Sequence, residues 1–208
     1  MLTLHGHGSR TAANILKIRV ALAEAGAEYR YVVVDLAGGE QHKPAYLAIN
    51  PHGKVPCLVD DDFTLPESDA ILWYVAEKFP KAALVPADIK ERARVRQWCD
   101  FASTSLYPSS YDLFNHTTQA EPENRSAWVR GRAQAALDRA LAVLDKRLAG
   151  REFVATSAFT IADGSVASVL HMLRTRSQLV PGTHANVDAF YERVAKRPSW
   201  VKAVASTP

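Results

Sequence analysis

The stretch Asn50-Pro51-His52-Gly53-Lys54-Val55-Pro56 leads into the part of the chain whose pattern decides the fold. From the last two residues of this stretch onward, Val55 to Val59 and then Phe63 to Leu65 are predicted to form two strands. The polar run Asp60-Asp61-Asp62 between them is typical of a hairpin turn. Ala70 to Phe79 then shows the apolar spacing of an amphipathic helix. This part of the chain is therefore predicted to be a β-β-α unit.

The residues before this unit predict a β-α-β arrangement. Leu2-Thr3-Leu4 alternates like a short strand, and Tyr29 to Val34 is a β-branched and aromatic run typical of a buried strand. Between them, apolar residues recur at helical spacing from Asn14 onward, and Gly26 stands where a helix C-cap is expected. Together the two units predict a mixed four-stranded sheet with helices packed against it.

Beyond Pro86 the strand signals largely disappear and helical patterns take over. A polar and aromatic segment, residues 108–122, is predicted to interrupt them. Thr160-Ile161-Ala162-Asp163 has the spacing of a capping box before an apolar helix, with Asp in place of the usual Glu. The other predicted helices cover residues 88–107, 125–148 and 187–205, the last interrupted by Pro198. We therefore expect an α/β domain over residues 1–81 and an all-helical domain over 87–208.

Composition excludes several classes of protein. The chain has 208 residues, and 25 Lys and Arg against 22 Asp and Glu give a net charge of +3, too small a surplus to indicate nucleic acid binding. Its two cysteines, Cys57 and Cys99, rule out a disulfide framework and are expected to be structural. Met1 to Arg10 lacks the apolar run of a signal peptide, and no apolar stretch approaches the roughly 20 residues of a membrane span. We expect a cytoplasmic protein with no metal site.

The motifs and their order resemble the cytosolic glutathione S-transferases of bacterial type over almost the whole chain. Besides Asn50 to Pro56, the resemblance rests on Leu65-Pro66-Glu67-Ser68-Asp69-Ala70-Ile71, on Phe159 to Asp163 and on Arg193 to Pro198. It implies a thioredoxin-like N-terminal domain that binds glutathione and an all-α C-terminal domain that supplies the electrophile pocket. It also implies a homodimer.

The resemblance implies a set of glutathione-binding residues that also make chemical sense. A cis Val55-Pro56 bond would expose the backbone of Val55 for strand-like pairing with the cysteinyl unit. Glu67 and Ser68 stand at a helix start, where unpaired N–H groups and a partial positive charge suit the γ-glutamyl carboxylate. The Glu67 carboxylate would accept from the ammonium group. The alternative for Ser68 is a simple N-cap, worth about 1 kcal/mol.

Three further residues, Gln41, His42 and Lys54, are candidates for contact with the glycyl end of glutathione. Lys54 would neutralise the glycyl carboxylate, and Gln41 falls where related sequences place a contacting Gln or His. The alternative makes all three solvated loop residues. Arg132 matches a position where related bacterial enzymes place an Arg facing glutathione, with a solvated helical Arg as the alternative.

The group that activates the thiol is where this sequence departs from the family. Lowering a thiol pKa near 8.5 to 9 by about two units takes roughly 2.7 kcal/mol of selective stabilisation. The family supplies it with a Tyr, Ser or Cys at the start of the first helix, but here Ala12 takes the usual Ser or Thr position. Asn14 is our first candidate and Thr11 the second, although Thr11 is equally suited to be a helix cap. Thr11 or Ser9 would reach the thiol only if the loop is displaced by one residue or more.

The implied function is a detoxifying transferase that conjugates the glutathione thiolate to a hydrophobic electrophile. Glutathione would be the co-substrate, and no metal, nucleic acid or membrane partner is expected. One alternative is a glutathione-dependent disulfide reductase, suggested by Asn14 and Gln41. The other is a glutathione- or ligand-binding protein with little catalysis, an alternative that remains because Ala12 takes the usual Ser or Thr position. The electrophile itself is not predicted by the sequence.

Overall fold

The computed structural model describes residues 1–9, 12–176, 178–179 and 181–205. The chain divides into two compact units, the first comprising Met1–Val85 together with the segment from Lys196 onward, and the second Pro86–Ala195. The strands are β1 (Leu2–Gly6), β2 (Tyr29–Val33), β3 (Cys57–Asp60) and β4 (Phe63–Pro66). The α-helices are α1 (Ala13–Glu24), α2 (Pro44–Leu47), α3 (Ser68–Lys78), α4 (Ile89–Phe101), α5 (Tyr107–Phe114), α6 (Ala127–Leu148), α7 (Ile161–Thr175), α8 (Ala185–Ala195) and α9 (Pro198–Ala205).

The first unit is built on a mixed four-stranded sheet in the order β2-β1-β3-β4. β1 runs parallel to β2, and the β1–β3 and β3–β4 pairs are antiparallel. A parallel pair needs a crossover connection, which α1 supplies, whereas β3 and β4 need only the turn at Asp61. Leu4 and Leu58 are fully buried partners in the middle of the sheet. The predicted thioredoxin-like sheet is confirmed.

Two helices cover the sheet with the apolar faces that the sequence indicated. In α1 the side chains of Ile18 and Leu22 are completely buried, and in α3 those of Ile71 and Leu72 are. Full burial of such a side chain contributes about 1.5–3 kcal/mol. The buried faces of α1 and α3 therefore stabilise the sheet, and this packing also fixes the position of each helix N-terminus relative to the sheet.

The last helix, α9, belongs to the first unit. The Glu24 carboxylate at the end of α1 accepts hydrogen bonds from Arg197 Nε at 2.7 Å and from the Ser199 hydroxyl. Trp200 is 4% exposed. This differs from the predicted division, which placed everything after residue 87 in one domain. The predicted interruption of the last helix at Pro198 is confirmed, because Pro198 has no N–H to continue α8 and instead opens α9.

The second unit is helical, and its first part differs from the prediction. The chain stays helical from Ile89 to Gln119, with π-helical turns at Ala102–Leu106 and Asn115–Gln119, so the predicted interruption over 108–122 was wrong for most of its length. Pro108 lies in the first turn of α5, where no N–H is required of it. The π-helical turn before it re-spaces the backbone hydrogen bonds. Among the described residues, no helix has both the length and the apolar character needed to cross a membrane.

The capping box at the start of α7 is confirmed. The Asp163 carboxylate accepts from the Thr160 N–H at 2.8 Å, and its other oxygen accepts from the Val154 N–H at 2.7 Å. Burial raises the pKa of Asp163 to about 6, while these hydrogen bonds act in the opposite direction. Asp163 therefore joins the loop before α7 to the buried start of that helix.

Candidate functional site

The loop from Asn50 to Pro56 ends in a cis Val55-Pro56 peptide bond, as predicted. Its backbone is held by buried side chains, because the Lys54 carbonyl accepts from the Tyr46 hydroxyl and from Asn50 Nδ2, both at 2.7 Å. Burial raises the pKa of Tyr46 to about 12, so this hydroxyl stays a donor. Within the described chain, the N–H and C=O of Val55 make no hydrogen bond. A fixed and unpaired backbone edge of this kind suits an extended peptide ligand.

The segment carrying Gln41 and His42 packs against this loop. A Cβ atom at Gly53 would lie 3.1 Å from the Gln41 carbonyl oxygen and 3.1 Å from His42 Nδ1, and Gly53 has a φ of +60°. Both facts explain why glycine is needed there. The structure thus brings Gln41 and His42 beside Gly53, which directly precedes Lys54.

Gln41 carries a polar atom that the protein leaves unsatisfied. Its Oε1 is buried and has no hydrogen-bond partner within the described chain, and its Nε2 makes only a long hydrogen bond of 3.4 Å to the Leu36 carbonyl. Lys54 is exposed, and its ammonium pairs with no described carboxylate. A buried acceptor without a donor costs free energy, so Gln41 can be satisfied by a ligand N–H.

Glu67 and Ser68 lie at the start of α3, but neither caps it. Glu67 is the N-cap residue and its side chain makes no capping hydrogen bond. Its φ of +69° is a left-handed conformation that non-glycine residues rarely adopt. Ser68 is the first residue of the helix, and its hydroxyl makes no hydrogen bond with described residues. The N–H groups of this helix start are therefore available to an anion.

Strand register brings these pieces together at one end of the sheet. Cys57, the first residue of β3, lies opposite His5 in β1 and opposite Pro66 in β4. Val55-Pro56 directly precedes Cys57 and Glu67-Ser68 directly follows Pro66. The exposed backbone of Val55 and the start of α3 are consequently neighbours.

The first helix begins at the same end of the sheet, because the chain leaves β1 there and enters α1 at Ala13. Ala12 is the N-cap residue and its side chain makes no capping hydrogen bond. Asn14 is half-buried in the first turn, and its carboxamide makes no hydrogen bond within the described chain. Thr11, the second candidate for activating the thiol, lies outside the described residues.

The loop between β1 and α1 is anchored by Tyr31, whose hydroxyl donates to the His7 carbonyl at 2.7 Å. A Cβ atom at Gly6 would lie 2.3 Å from this hydroxyl, so glycine is required for the approach. Burial raises the pKa of Tyr31 to about 12, which keeps the phenol a donor.

Sequence reasoning missed the ion pair that joins the two helices of the site. Lys17 Nζ on α1 lies 2.7 Å from Asp69 Oδ1 on α3, and the Lys17 side chain is 3% exposed. Asp69 immediately follows Ser68. A lysine flanked by the apolar residues Leu16 and Ile18 was the available signal, because a buried cation needs a partner.

The two uncapped helix starts contrast with three others in the chain. α4, α6 and α7 begin with side chains that occupy their first N–H groups: Asp88, Ser126 and Thr160. At α1 and α3 these groups are left unoccupied by the N-cap residues. The starts of α1 and α3 and the free backbone edge of Val55 thus lie at one end of the sheet, an arrangement that fits a small anionic peptide.

Arg132 belongs to the other unit. It is exposed on α6, and its guanidinium lies over the ring of Trp128, 5.0 Å from the ring centroid. No described acidic side chain pairs with it.

The cysteines fit the structural role that the sequence predicts. Cys57 and Cys99 are completely buried. Burial raises the pKa of Cys57 to about 11, so it remains a thiol near neutral pH. Within the described residues, no group of His, Cys, Asp and Glu side chains is arranged to hold a metal ion.

Family models match both units of the chain. Residues 2–77 match the glutathione S-transferase N-terminal domain, and residues 102–198 match the glutathione S-transferase C-terminal domain. Among curated proteins, glutathione S-transferase 3 of Zea mays is 32% identical over 100% of this chain and 96% of its own length. Glutathione S-transferase F10 of Arabidopsis thaliana is also 32% identical, over 87% of each chain.

Solved structures agree with this assignment. Glutathione transferase F2 from Populus trichocarpa has a TM-score of 0.86 and 28% identity, covering 98% of this chain and 97% of its own. The theta class enzyme from Xanthomonas axonopodis pv. citri, with glutathione bound, has a TM-score of 0.85 and 28% identity over 99% and 97%. A glutathione transferase from Burkholderia graminis, with two glutathione molecules bound per subunit, has a TM-score of 0.89 and 26% identity over 99% and 88%. The chain therefore belongs to the glutathione S-transferase family.

Proposed function

We propose that this glutathione S-transferase conjugates the thiolate of glutathione to an electrophilic small molecule. The sulfur forms a bond to an electrophilic carbon, the leaving group departs with its bonding electrons, and the thiol proton passes to solvent. One observation carries the proposal: two uncapped helix starts and the free backbone edge of Val55 meet at one end of the sheet. Glutathione has the two carboxylates, the amides and the thiol that such a site can hold.

The cysteinyl and γ-glutamyl parts of glutathione are assigned to the β3–β4 end of the sheet. The N–H and C=O of Val55, held by the cis bond to Pro56, pair with the cysteinyl backbone as an added strand would. The start of α3 and the Ser68 hydroxyl donate to the γ-glutamyl carboxylate. The exposed Glu67 carboxylate accepts from the ammonium group.

The glycyl end is assigned to the segment beside Gly53. Gln41 offers its unsatisfied buried Oε1 to an amide N–H of the ligand, and Lys54 offers an ammonium to the glycyl carboxylate. His42 packs at the same glycine and is a third contact. Arg132 is proposed as a further cation facing glutathione, supported by its exposure and by the lack of an acidic partner among described residues.

The thiolate is assigned to the start of α1. The Asn14 carboxamide, which has no partner within the described chain, donates to the sulfur, and the partial positive charge of the uncapped helix adds to it. Thr11 remains the second candidate. Hydrogen bonds to a charged group are worth about 1.5–3 kcal/mol, which is the size of effect that the required pKa shift demands.

The roles of the two domains, the oligomeric state and the biological role are proposed as well. Residues 1–81 would bind glutathione, and the helices within 87–208 would supply the pocket for a hydrophobic electrophile. The protein would act as a cytoplasmic homodimer in detoxification. The proposed reaction needs only the thiolate and the electrophile.

A second candidate function is reduction of small disulfides by glutathione. The Burkholderia graminis relative holds two glutathione molecules per subunit, which is the number that one disulfide consumes. The first thiolate would displace one thiol and form a mixed disulfide, and the second would release the other thiol and leave glutathione disulfide.

Purified protein assayed with glutathione and an aryl halide, and separately with glutathione and a small disulfide, separates the functions. Transferase function predicts halide release with formation of the thioether, at a rate well above that without protein. Turnover of the disulfide alone would favour the reductase. Turnover of neither, with glutathione still bound in a calorimetric titration, would leave a binding protein and overturn the proposal.

A further inference from the structure

The start of α3, where the proposed function places the γ-glutamyl carboxylate, carries a negative charge of its own. Asp69 is the second residue of α3 and the acidic residue of its first turn. A carboxylate in this position is attracted by the N–H groups of the helix start and repels a second anion that approaches them. Asp69 also directly follows Ser68, the proposed donor to the ligand carboxylate. Without a compensating charge, Asp69 would therefore oppose the ligand.

Lys17 on α1 supplies a positive charge against Asp69. Its Nζ atom donates to Asp69 Oδ1 at 2.7 Å, which is the distance of a charge-assisted hydrogen bond. The Lys17 side chain is 3% exposed and that of Asp69 is 25% exposed. Solvent and salt therefore screen this pair much less than a pair on the surface. The ammonium of Lys17 thus neutralises the Asp69 carboxylate beside the first turn of α3.

The position of Lys17 is fixed by the packing of α1. Its neighbours in the chain, Leu16 and Ile18, are buried, and α1 packs against α3. Lys17 lies three residues after Asn14, a spacing that places two side chains on one face of a helix. The side chain assigned to the sulfur and the side chain that balances Asp69 therefore share a face of α1. The ammonium is held there by the fold, before any ligand binds.

We propose that Lys17 is a positioning residue of the glutathione site, which acts by neutralising Asp69 so that the start of α3 can bind the γ-glutamyl carboxylate. This role rests on the proposed function, since it concerns the helix start that is assigned there to glutathione. It extends that assignment, because Lys17 acts through Asp69 rather than through a contact with the ligand. Lys17 thereby sets the affinity of the site for an anion.

The alternative role for this ion pair is a purely structural tie between α1 and α3. Both roles predict weaker ligand binding when the charge of Lys17 is removed, but they differ for Asp69. A structural tie is lost whichever partner is removed, so both substitutions would weaken binding. Charge balance predicts effects of opposite sign, because removal of the Asp69 charge makes the helix start more attractive to an anion.

Calorimetric titration of the purified full-length protein with S-methylglutathione tests the proposal. This ligand keeps both carboxylates of glutathione but has no thiol, so binding is measured apart from thiolate formation and conjugation. Lys17→Met keeps an unbranched side chain without the charge and should lower the affinity at least about ten-fold. Asp69→Asn keeps an oxygen that can accept from Lys17 Nζ and should raise the affinity at least about three-fold.

Two further variants complete the experiment. The double variant Lys17→Met/Asp69→Asn removes both charges, so it should bind S-methylglutathione within about three-fold of the wild type. Lys78→Met is the matched control, because Lys78 is the last residue of α3 and pairs with Asp60. It removes a lysine charge from an ion pair at the opposite end of the same helix, and it should leave the affinity unchanged.

Weaker binding in Lys17→Met that the double variant reverses supports the role of Lys17. Similar weakening in Lys17→Met, Asp69→Asn and the double variant would reveal a structural tie and overturn the proposal, as would unchanged affinity in Lys17→Met. If Lys17→Met fails to fold, the other two variants decide, because binding clearly weaker than wild type in either one overturns the proposal. A wild-type protein that does not bind S-methylglutathione would overturn the proposed glutathione site as well, which distinguishes the two failures.

Discussion

Ser68 and Ser126 both stand at a helix start, yet their hydroxyls have different surroundings. Ser126 Oγ accepts from the Val129 N–H at 3.3 Å, whereas the Ser68 hydroxyl makes no hydrogen bond with described residues. Ser68→Ala should therefore weaken glutathione binding about 5- to 150-fold, the cost of about 1–3 kcal/mol for a hydrogen bond to a charged group, with little change in stability. Calorimetric titration with glutathione measures the change.

Ser126→Ala is the matched control for that experiment. It should lower the free energy of unfolding by about 1 kcal/mol and leave glutathione affinity unchanged. If Ser68→Ala instead lowers stability and keeps the affinity, Ser68 is a structural residue and its assignment to the γ-glutamyl carboxylate fails.

Asn14 is the residue on which the pKa of bound glutathione should depend most. Asn14→Ala should raise that pKa by roughly one to two units, because one donor to an anion is worth about 1.5–3 kcal/mol. Thr11→Ala should raise it less, because Asn14 rather than Thr11 is the proposed donor to the sulfur. Ultraviolet absorbance of the thiolate, followed against pH in each variant, makes the comparison. A large shift in Thr11→Ala and none in Asn14→Ala would reverse the assignment.

The start of α7 gives the protein a pH-dependent stability of known sign. Burial holds the pKa of Asp163 at about 6 in the folded chain, against 3.8 as its ordinary value. The folded state then binds the extra proton between these pH values, so stability falls as pH rises through them. Compared with Asp163→Asn, the wild type should gain about 2.4 kcal/mol between about pH 7 and pH 4. Urea denaturation at both pH values measures this difference, and a constant difference would contradict it.

The α9 helix should stabilise the first unit although it lies at the far end of the sequence. Trp200 is 4% exposed where α9 packs on α1. Trp200→Ala should lower the free energy of unfolding by about 3–5 kcal/mol, as for other large buried aromatic residues. Val201→Ala, an exposed position on the same helix, is the control and should change it little. A loss below about 1 kcal/mol in Trp200→Ala would contradict this packing role.

Elements with strong local signals could be predicted from the sequence. The β3–β4 hairpin, the apolar faces of α1 and α3, and the capping box at Thr160 all depend on residues close together in the chain. The helix through Pro108 could not, because Pro108 and the polar residues after it are locally typical of an interruption, whereas the structure continues the helix past them. The sequence also did not predict that α9 packs in the first unit, because the contact between Arg197 and Glu24 joins residues far apart in the sequence.

The site was predicted only in part, because some of its features depend on residues close together in the chain and others do not. Val55-Pro56 and Ser68 were found through motifs, and strand register then explains why they are neighbours. The Lys17–Asp69 ion pair was missed because neither residue alone signals the other. The structure does not support the N-cap alternative for Ser68, since its hydroxyl does not cap α3, and its contact with glutathione stays a prediction.

The whole molecule is proposed to be a homodimer, as the family resemblance implies. Light scattering at micromolar concentration should give about twice the chain mass of 22.8 kDa. A mass equal to that of one chain, unchanged on adding glutathione, would contradict the proposal.

The central claim is that the folded protein turns glutathione into a thiolate near neutral pH. The most direct test is the pKa of glutathione bound to the wild-type protein, followed by the ultraviolet absorbance of the thiolate against pH, with free glutathione titrated alongside. The account predicts that binding lowers the pKa by about two units from the free value near 8.5 to 9. A bound thiol that titrates as it does in water would contradict the transferase function and leave a glutathione-binding protein in its place.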